Sequence, residues 1–154
     1  MQPKNPCYAR EMQNRKTLSD EALWNQIRTH AATERHVGLE VIHDLREIVA
    51  RRLDARLRYD SLHQFCMEEL KYSSGTAWRR IKTMEALDEI PELESNLAQG
   101  LLTTASVSQV QSFCVREKKS LAEKKEIFTQ ISGLSKRKTE SLLARIAPQP
   151  ARSE

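Results

Sequence analysis

Apolar residues recur at spacings of three and four along almost the whole chain, and no stretch alternates β-branched with polar residues over a strand's length. That periodicity predicts amphipathic helices, so the fold class expected is all-α. Leu23, Trp24 and Ile27 share one face of a short helix that Ser19 caps and that ends near His30. From Glu34, the positions Val37, Val41, Leu45, Ile48 or Val49, Leu53 and Leu57 predict a second helix over 34–57, about six turns long. Asp60 or Ser61 caps a further helix with Leu62, Phe65, Cys66 and Leu70 on one face, and Ser61 with Gln64 has the spacing of a capping box.

Ser73 caps the next helix, with Ala77, Ile81 and Met84 inward and Leu87 close to that stripe. Pro91 starts or precedes another turn of helix, and Gly100 suits the left-handed residue that ends it. Thr103 or Thr104 opens a helix facing inward through Val107, Val110 and Cys114. Ser120 opens one with Leu121, Phe128 and Ile131 that stops near Gly133, and Ser135 opens the last, with Leu142, Leu143 and Ile146 before Pro148. The organisation predicted is a flexible basic tail over 1–18, a helical domain over 19–147 and a short flexible tail over 148–154.

Charge sharpens this picture. The 154 residues carry 25 Lys plus Arg against 21 Asp plus Glu, a formal net charge of +4, which permits a polyanionic partner without requiring one. No apolar run exceeds three residues, so neither a membrane span nor a signal-peptide core is expected and the chain is assigned to the cytoplasm. Three scattered cysteines, Cys7, Cys66 and Cys114, contain no CxxC pair; Cys66 and Cys114 fall on apolar stripes and are read as packing residues.

The segment 61–88 holds the informative constellation: a short helix, a tight connection at Lys71 and Tyr72, and a second helix with a cationic side, which is the layout of a helix-turn-helix. With Ala77, Ile81 and Met84 inward, Ser74, Thr76, Arg79, Lys82 and Thr83 are expected on the opposite side, with Arg80 flanking. Arg79 and Arg80 carry forked donors that suit guanine edges or phosphates, and Ser73, Ser74 and Thr76 sit at a helix N-terminus that favours phosphate. Lys71 stands where such turns often hold glycine, and a non-glycine residue with positive φ costs roughly 1 kcal/mol. Lys136, Arg137 and Lys138 lie in the first turn of the last helix, where cations oppose the macrodipole and a bound phosphate would relieve them.

Several of these stretches form an ordered set. Tyr59-Asp60-Ser61-Leu62, Glu69-Leu70-Lys71-Tyr72-Ser73, Ala77-Trp78-Arg79-Arg80-Ile81 and Pro91-Glu92-Leu93 are followed by Leu97-Ala98-Gln99-Gly100-Leu101-Leu102-Thr103 and Leu134-Ser135-Lys136-Arg137-Lys138-Thr139-Glu140. Together, over roughly residues 35–147, they resemble the helical region that precedes the catalytic domain of many bacterial HNH endonucleases. The same order is similar to a ParB-type DNA-binding domain. The resemblance implies a double-stranded DNA partner, reached through the residues from Ser73 to Lys82. It departs from the nuclease family downstream: seven residues follow Ala147, none is a histidine, and no cysteine pair is present to brace a metal-dependent ββα element. Nuclease activity, a metal and a cofactor are therefore not expected, and association with the nucleoid is.

Other candidates have plainer readings. His36, Glu40 and His43 share a helical face, but Glu40-x-x-His43 has no second copy, so a solvated face is the reading rather than a di-metal centre. His30 and His63 read as surface residues, and Trp24 and Trp78 as packing aromatics rather than base-stacking platforms. A palindromic DNA site would require a homodimer, for which the helix over 34–57 offers the largest surface. The alternative functions are a protein-interaction module, or a helical subunit acting with a separate nuclease chain.

Overall fold

The computed structural model describes residues 14–148, and among them the secondary structure is helical throughout, with no strand. Eight helices follow in order: α1 Asp20–Ala50, α2 Leu53–Arg56, α3 Leu62–Glu68, α4 Ser74–Glu89, α5 Leu93–Ala98, α6 Thr104–Arg116, α7 Leu121–Ile131 and α8 Lys136–Ile146. The predicted tail over 1–18 lies mostly outside the described residues, as does Cys7; Asn14–Lys16 form a helical turn.

Two expected helices are one. The chain runs as a single α1 of 31 residues where separate helices over 19–30 and 34–57 were predicted. Between Ser19 and Val37 there is neither proline nor glycine, and Ala31 and Ala32 favour helix, so a lapse in apolar periodicity does not break the backbone ladder. The same helix also ends early. Arg52 takes a left-handed φ of 54° and separates α1 from the four-residue α2, which keeps the apolar phase running past a real stop.

Compactness divides the chain between Glu34 and Arg35. In the first unit, Ser19 caps α1 through the Ala22 N–H (3.2 Å), Arg28 lies over the Trp24 ring, and Leu23, Trp24 and Ile27 are exposed rather than packed. The second unit holds the core. Leu39, Ile42 and Leu45 of α1 are buried there, whereas Val37, Val49 and Leu57, expected on the stripe, are exposed. Helix α4 packs most extensively on α6, and α6 also packs on α7 and α8.

The hydroxyl caps are as predicted: Ser61, Ser73, Thr103, Ser120 and Ser135 each accept the backbone N–H three residues on, and Thr103–Ser106 and Ser120–Glu123 close full capping boxes. Gly100 and Gly133 both adopt φ of 76° after α5 and α7. At Gly100 a Cβ would only reach ordinary contact with Arg35, at 3.5 Å, so the left-handed φ is what favours glycine there; the Arg35 Nε donates to the Ala98 carbonyl at 3.1 Å. Ala77, Met84, Leu87, Val107, Val110, Cys114, Phe128, Ile131 and Leu143 are buried as expected; Leu70 and Leu121 are not. Burial holds the Cys66 and Cys114 thiols above their ordinary pKa, consistent with inert packing.

Candidate nucleic-acid interface

Helix α4 is rotated relative to the sequence expectation. Ala77, Thr83, Met84, Ala86 and Leu87 are buried, so the core takes a wide arc of the helix and Thr83, expected outward, is fully inside. Its hydroxyl donates to the Arg79 carbonyl at 2.8 Å, the i−4 bond that makes a threonine tolerable there. The exposed positions of α4 are Ser74, Gly75, Trp78, Asp88 and Glu89, and Arg79 and Arg80 are half-buried. Helix α4 packs most extensively on α6, which Thr83 reaches with its hydroxyl 3.5 Å from the Thr104 carbonyl oxygen.

The two arginines therefore part company. Arg80 turns toward α1: its guanidinium lies 5.0 Å from the centre of the Tyr72 ring, and its Nη1 lies near Gly38, 3.7 Å from where a Cβ would stand. Its Nε is buried without a hydrogen-bond partner among the described residues. Arg80 is half-buried, and its guanidinium is turned toward Tyr72 rather than outward. Arg79 turns the other way, donating from Nη2 to the Thr76 hydroxyl at 3.2 Å, and no carboxylate among the described residues forms an ion pair with it.

The remaining predicted residues are dispersed between structural and open roles. Ser73 caps α4 and donates to the Thr76 hydroxyl at 3.0 Å, so both hydroxyls serve the helix start, Thr76 additionally steadying Arg79. Ser74 lies against the His63 ring, whose Nε2 is 3.2 Å from its hydroxyl and 3.1 Å from its carbonyl oxygen. Lys82 is paired with Glu85 at 2.8 Å. Lys136, Arg137 and Lys138 are all exposed in the first turn of α8, and Lys136 stands 3.9 Å from Glu140.

Between α3, α4, α6 and α8 the rotation opens a cleft of about 720 Å³. Arg79, Arg116 and Lys136 line it together with His63, and no carboxylate does. Arg116 lies over the Phe113 ring and pairs with Glu117 outside the lining. Trp78 stands at the cleft with 42% of its surface exposed, against the packing role expected for it. Gln109 and Ser112 form part of the wall from α6, and Gln109 Oε1 and Ser112 Oγ are buried with no hydrogen-bond partner among the described residues.

His63, Gln109, Ser112 and Arg116 were not among the residues predicted for a site. A signal for the α6 members exists in the sequence: Ser108 or Gln109, Ser112 and Arg116 recur at spacings of three and four, on the side away from Val107, Val110 and Cys114. The histidine face of α1 resolves into separate contacts, His36 at 4.0 Å from Glu40 and His43 at 2.9 Å from Glu94 of α5, and no metal-holding group of three His, Cys, Asp or Glu occurs among the described residues. Comparison with known proteins gives no matching family, no matching curated protein and no matching solved structure.

Proposed function

We propose that this chain is a non-catalytic DNA-binding protein whose contact surface is the cationic cleft and the adjoining first turn of α8. The observation that carries the reading is the lining: Arg79, Arg116, Lys136 and His63 converge on one concavity that contains no carboxylate. Such a field attracts phosphate, and low-dielectric walls concentrate it. Arg79 supplies the strongest contact because it has no internal ion pair to exchange. Arg137 and Lys138, exposed at the capped start of α8, extend the same positive surface, and bound phosphate there offsets their unfavourable position on the helix dipole.

In this reading α3 and α4, joined through Lys71 with its left-handed φ of 58°, act as a helix-turn-helix, and the N-terminal half of α4 lies nearest the DNA. Ser74 and Trp78, rather than Arg80 and Lys82, face the nucleic acid. The resemblance to the helical region of HNH endonucleases and to ParB-type domains is consistent with that role. The competing class is a protein-interaction module, for which the positive charge would be incidental.

Fluorescence anisotropy of a labelled duplex across a salt series separates them. Three phosphate contacts give a slope of log affinity against log salt near −3, at about −0.9 per contact. Arg79→Ala is expected to weaken binding by about tenfold and to reduce the slope by about 1. Binding that is indifferent to salt and to Arg79→Ala, or no binding at all, rejects the proposal in favour of a protein partner.

A further inference from the structure

Duplex phosphates account for the cations of the cleft, but not for its indole or its orphaned polar atoms. Trp78 is a large aromatic surface, 42% exposed, that lines the cleft together with Arg79. Phosphate gains little from an indole face, whereas a nucleobase stacks on one. In an intact duplex the faces of each base are covered by its neighbours, so only an unpaired base has a face to offer.

The wall supplies the complementary polar chemistry. Gln109 Oε1 and Ser112 Oγ have no partner among the described residues, so turning the amide and the hydroxyl into the cleft breaks no hydrogen bond. An amide presents one acceptor and a pair of donors side by side, the pattern that the hydrogen-bonding edge of a base requires. The volume, about 720 Å³, lies within the range of small-ligand sites, roughly 300–1,000 Å³. Arg116 and Lys136 stand on the same lining to meet the phosphates on either side of the inserted nucleotide.

We infer that the cleft seats one unpaired nucleotide of a DNA strand, its base stacked on Trp78 and its edge met by Gln109 and Ser112, while Arg79, Arg116 and Lys136 hold the flanking phosphates. The inference rests on the DNA-binding reading and adds to it a preference for single-stranded or locally unpaired sites. Gly75 belongs to the design: it lines the cleft beside Trp78 and Arg79, and its missing side chain keeps that part open.

The test uses the full chain carrying Trp24→Phe, which leaves Trp78 as the one indole. Three oligonucleotides of equal length are titrated: a perfect duplex, the same duplex with one bulged nucleotide, and the single strand. Stacking predicts quenching of Trp78 fluorescence by the bulged duplex and the single strand but not by the perfect duplex, with about tenfold tighter binding of the bulged form. Trp78→Ala should erase that preference, so that the bulged and the perfect duplex bind this variant alike. Gly75→Leu should erase it too; because its Cβ would meet the flexible end of Arg79, at 3.4 Å, the salt slope on the perfect duplex is measured alongside to show that the Arg79 contact survives. Equal affinity for all three oligonucleotides without quenching overturns this inference and leaves the DNA-binding proposal standing. Failure of every oligonucleotide to bind overturns both.

Discussion

At the scale of single residues, one largely buried ion pair lies away from the cleft. Lys124 of α7 is buried to within 7% of full exclusion, and its ammonium donates to Glu89 at the end of α4, which also accepts from Gln111 of α6 at 2.9 Å. The hydrogen bond from Lys124 is the main reason that the Glu89 carboxyl is held below the ordinary carboxylate range. A depressed folded pKa means that the pair's contribution is fully present above the ordinary carboxyl pKa and is lost as pH falls through the lower folded value. Glu89→Gln is expected to cost about 1–2 kcal/mol at neutral pH, less than the roughly 3–5 of a fully buried pair because Glu89 is 41% exposed. Urea denaturation against pH should show a flatter acid limb for this variant. Adding Lys124→Met should recover most of the loss; no recovery would mean that packing around the lysine stem, rather than its charge, dominates.

The helices themselves carry a signature in how they end. Arg52, Arg58, Lys71 and Lys118 adopt left-handed φ between 52° and 66°, while Gly100 and Gly133 do so at 76°. The glycine stops were legible in the sequence because glycine is the residue that this conformation favours; the cationic ones were not, since Lys and Arg are common everywhere on helices. That is why the end of α1 was expected at 57 and lies at Ala50. Helix starts were far more legible, because a Ser or Thr hydroxyl before an apolar stripe has a specific backbone partner. At α8, Ser135 caps through the Lys138 N–H, so Lys138→Glu completes a capping box and removes a cation from the positive end of the dipole. Stability should rise by about 0.5–1 kcal/mol in thermal denaturation while affinity for DNA falls. A rise in stability with unchanged affinity would remove the start of α8 from the interface.

For the whole molecule, the division at Glu34 and Arg35 makes a simple expectation. The buried core begins at Leu39, and Arg79, Arg116 and Lys136 all belong to the second unit. A chain starting at Arg35 should therefore unfold cooperatively by circular dichroism and keep the salt dependence of DNA binding. Loss of cooperativity in that fragment would show that the first 34 residues are needed to complete the core. No described helix is long and apolar enough to cross a membrane, and the surface ion pairs include Arg46–Asp88 between α1 and α4 at 2.6 Å and Arg51–Glu47 at 2.6 Å, the latter bridging the end of α1.

The amino-acid sequence by itself determined the helical class, the caps, the two glycine stops and the central inward positions of the helices from α3 onward, such as Phe65, Ala77, Val107, Phe128 and Leu143, since each follows from contacts within a few residues of chain. It did not determine the rotation of α4. That depends on which of its flanks α6 and α1 claim, and the difference of about one residue in phase, 100° around a helix, turns two neighbouring half-buried arginines apart, Arg80 toward Tyr72 and Arg79 onto the cleft lining. The cleft is a tertiary object for the same reason: His63, Trp78, Gln109, Arg116 and Lys136 come from four helices, and only their packing brings those side chains around one concavity.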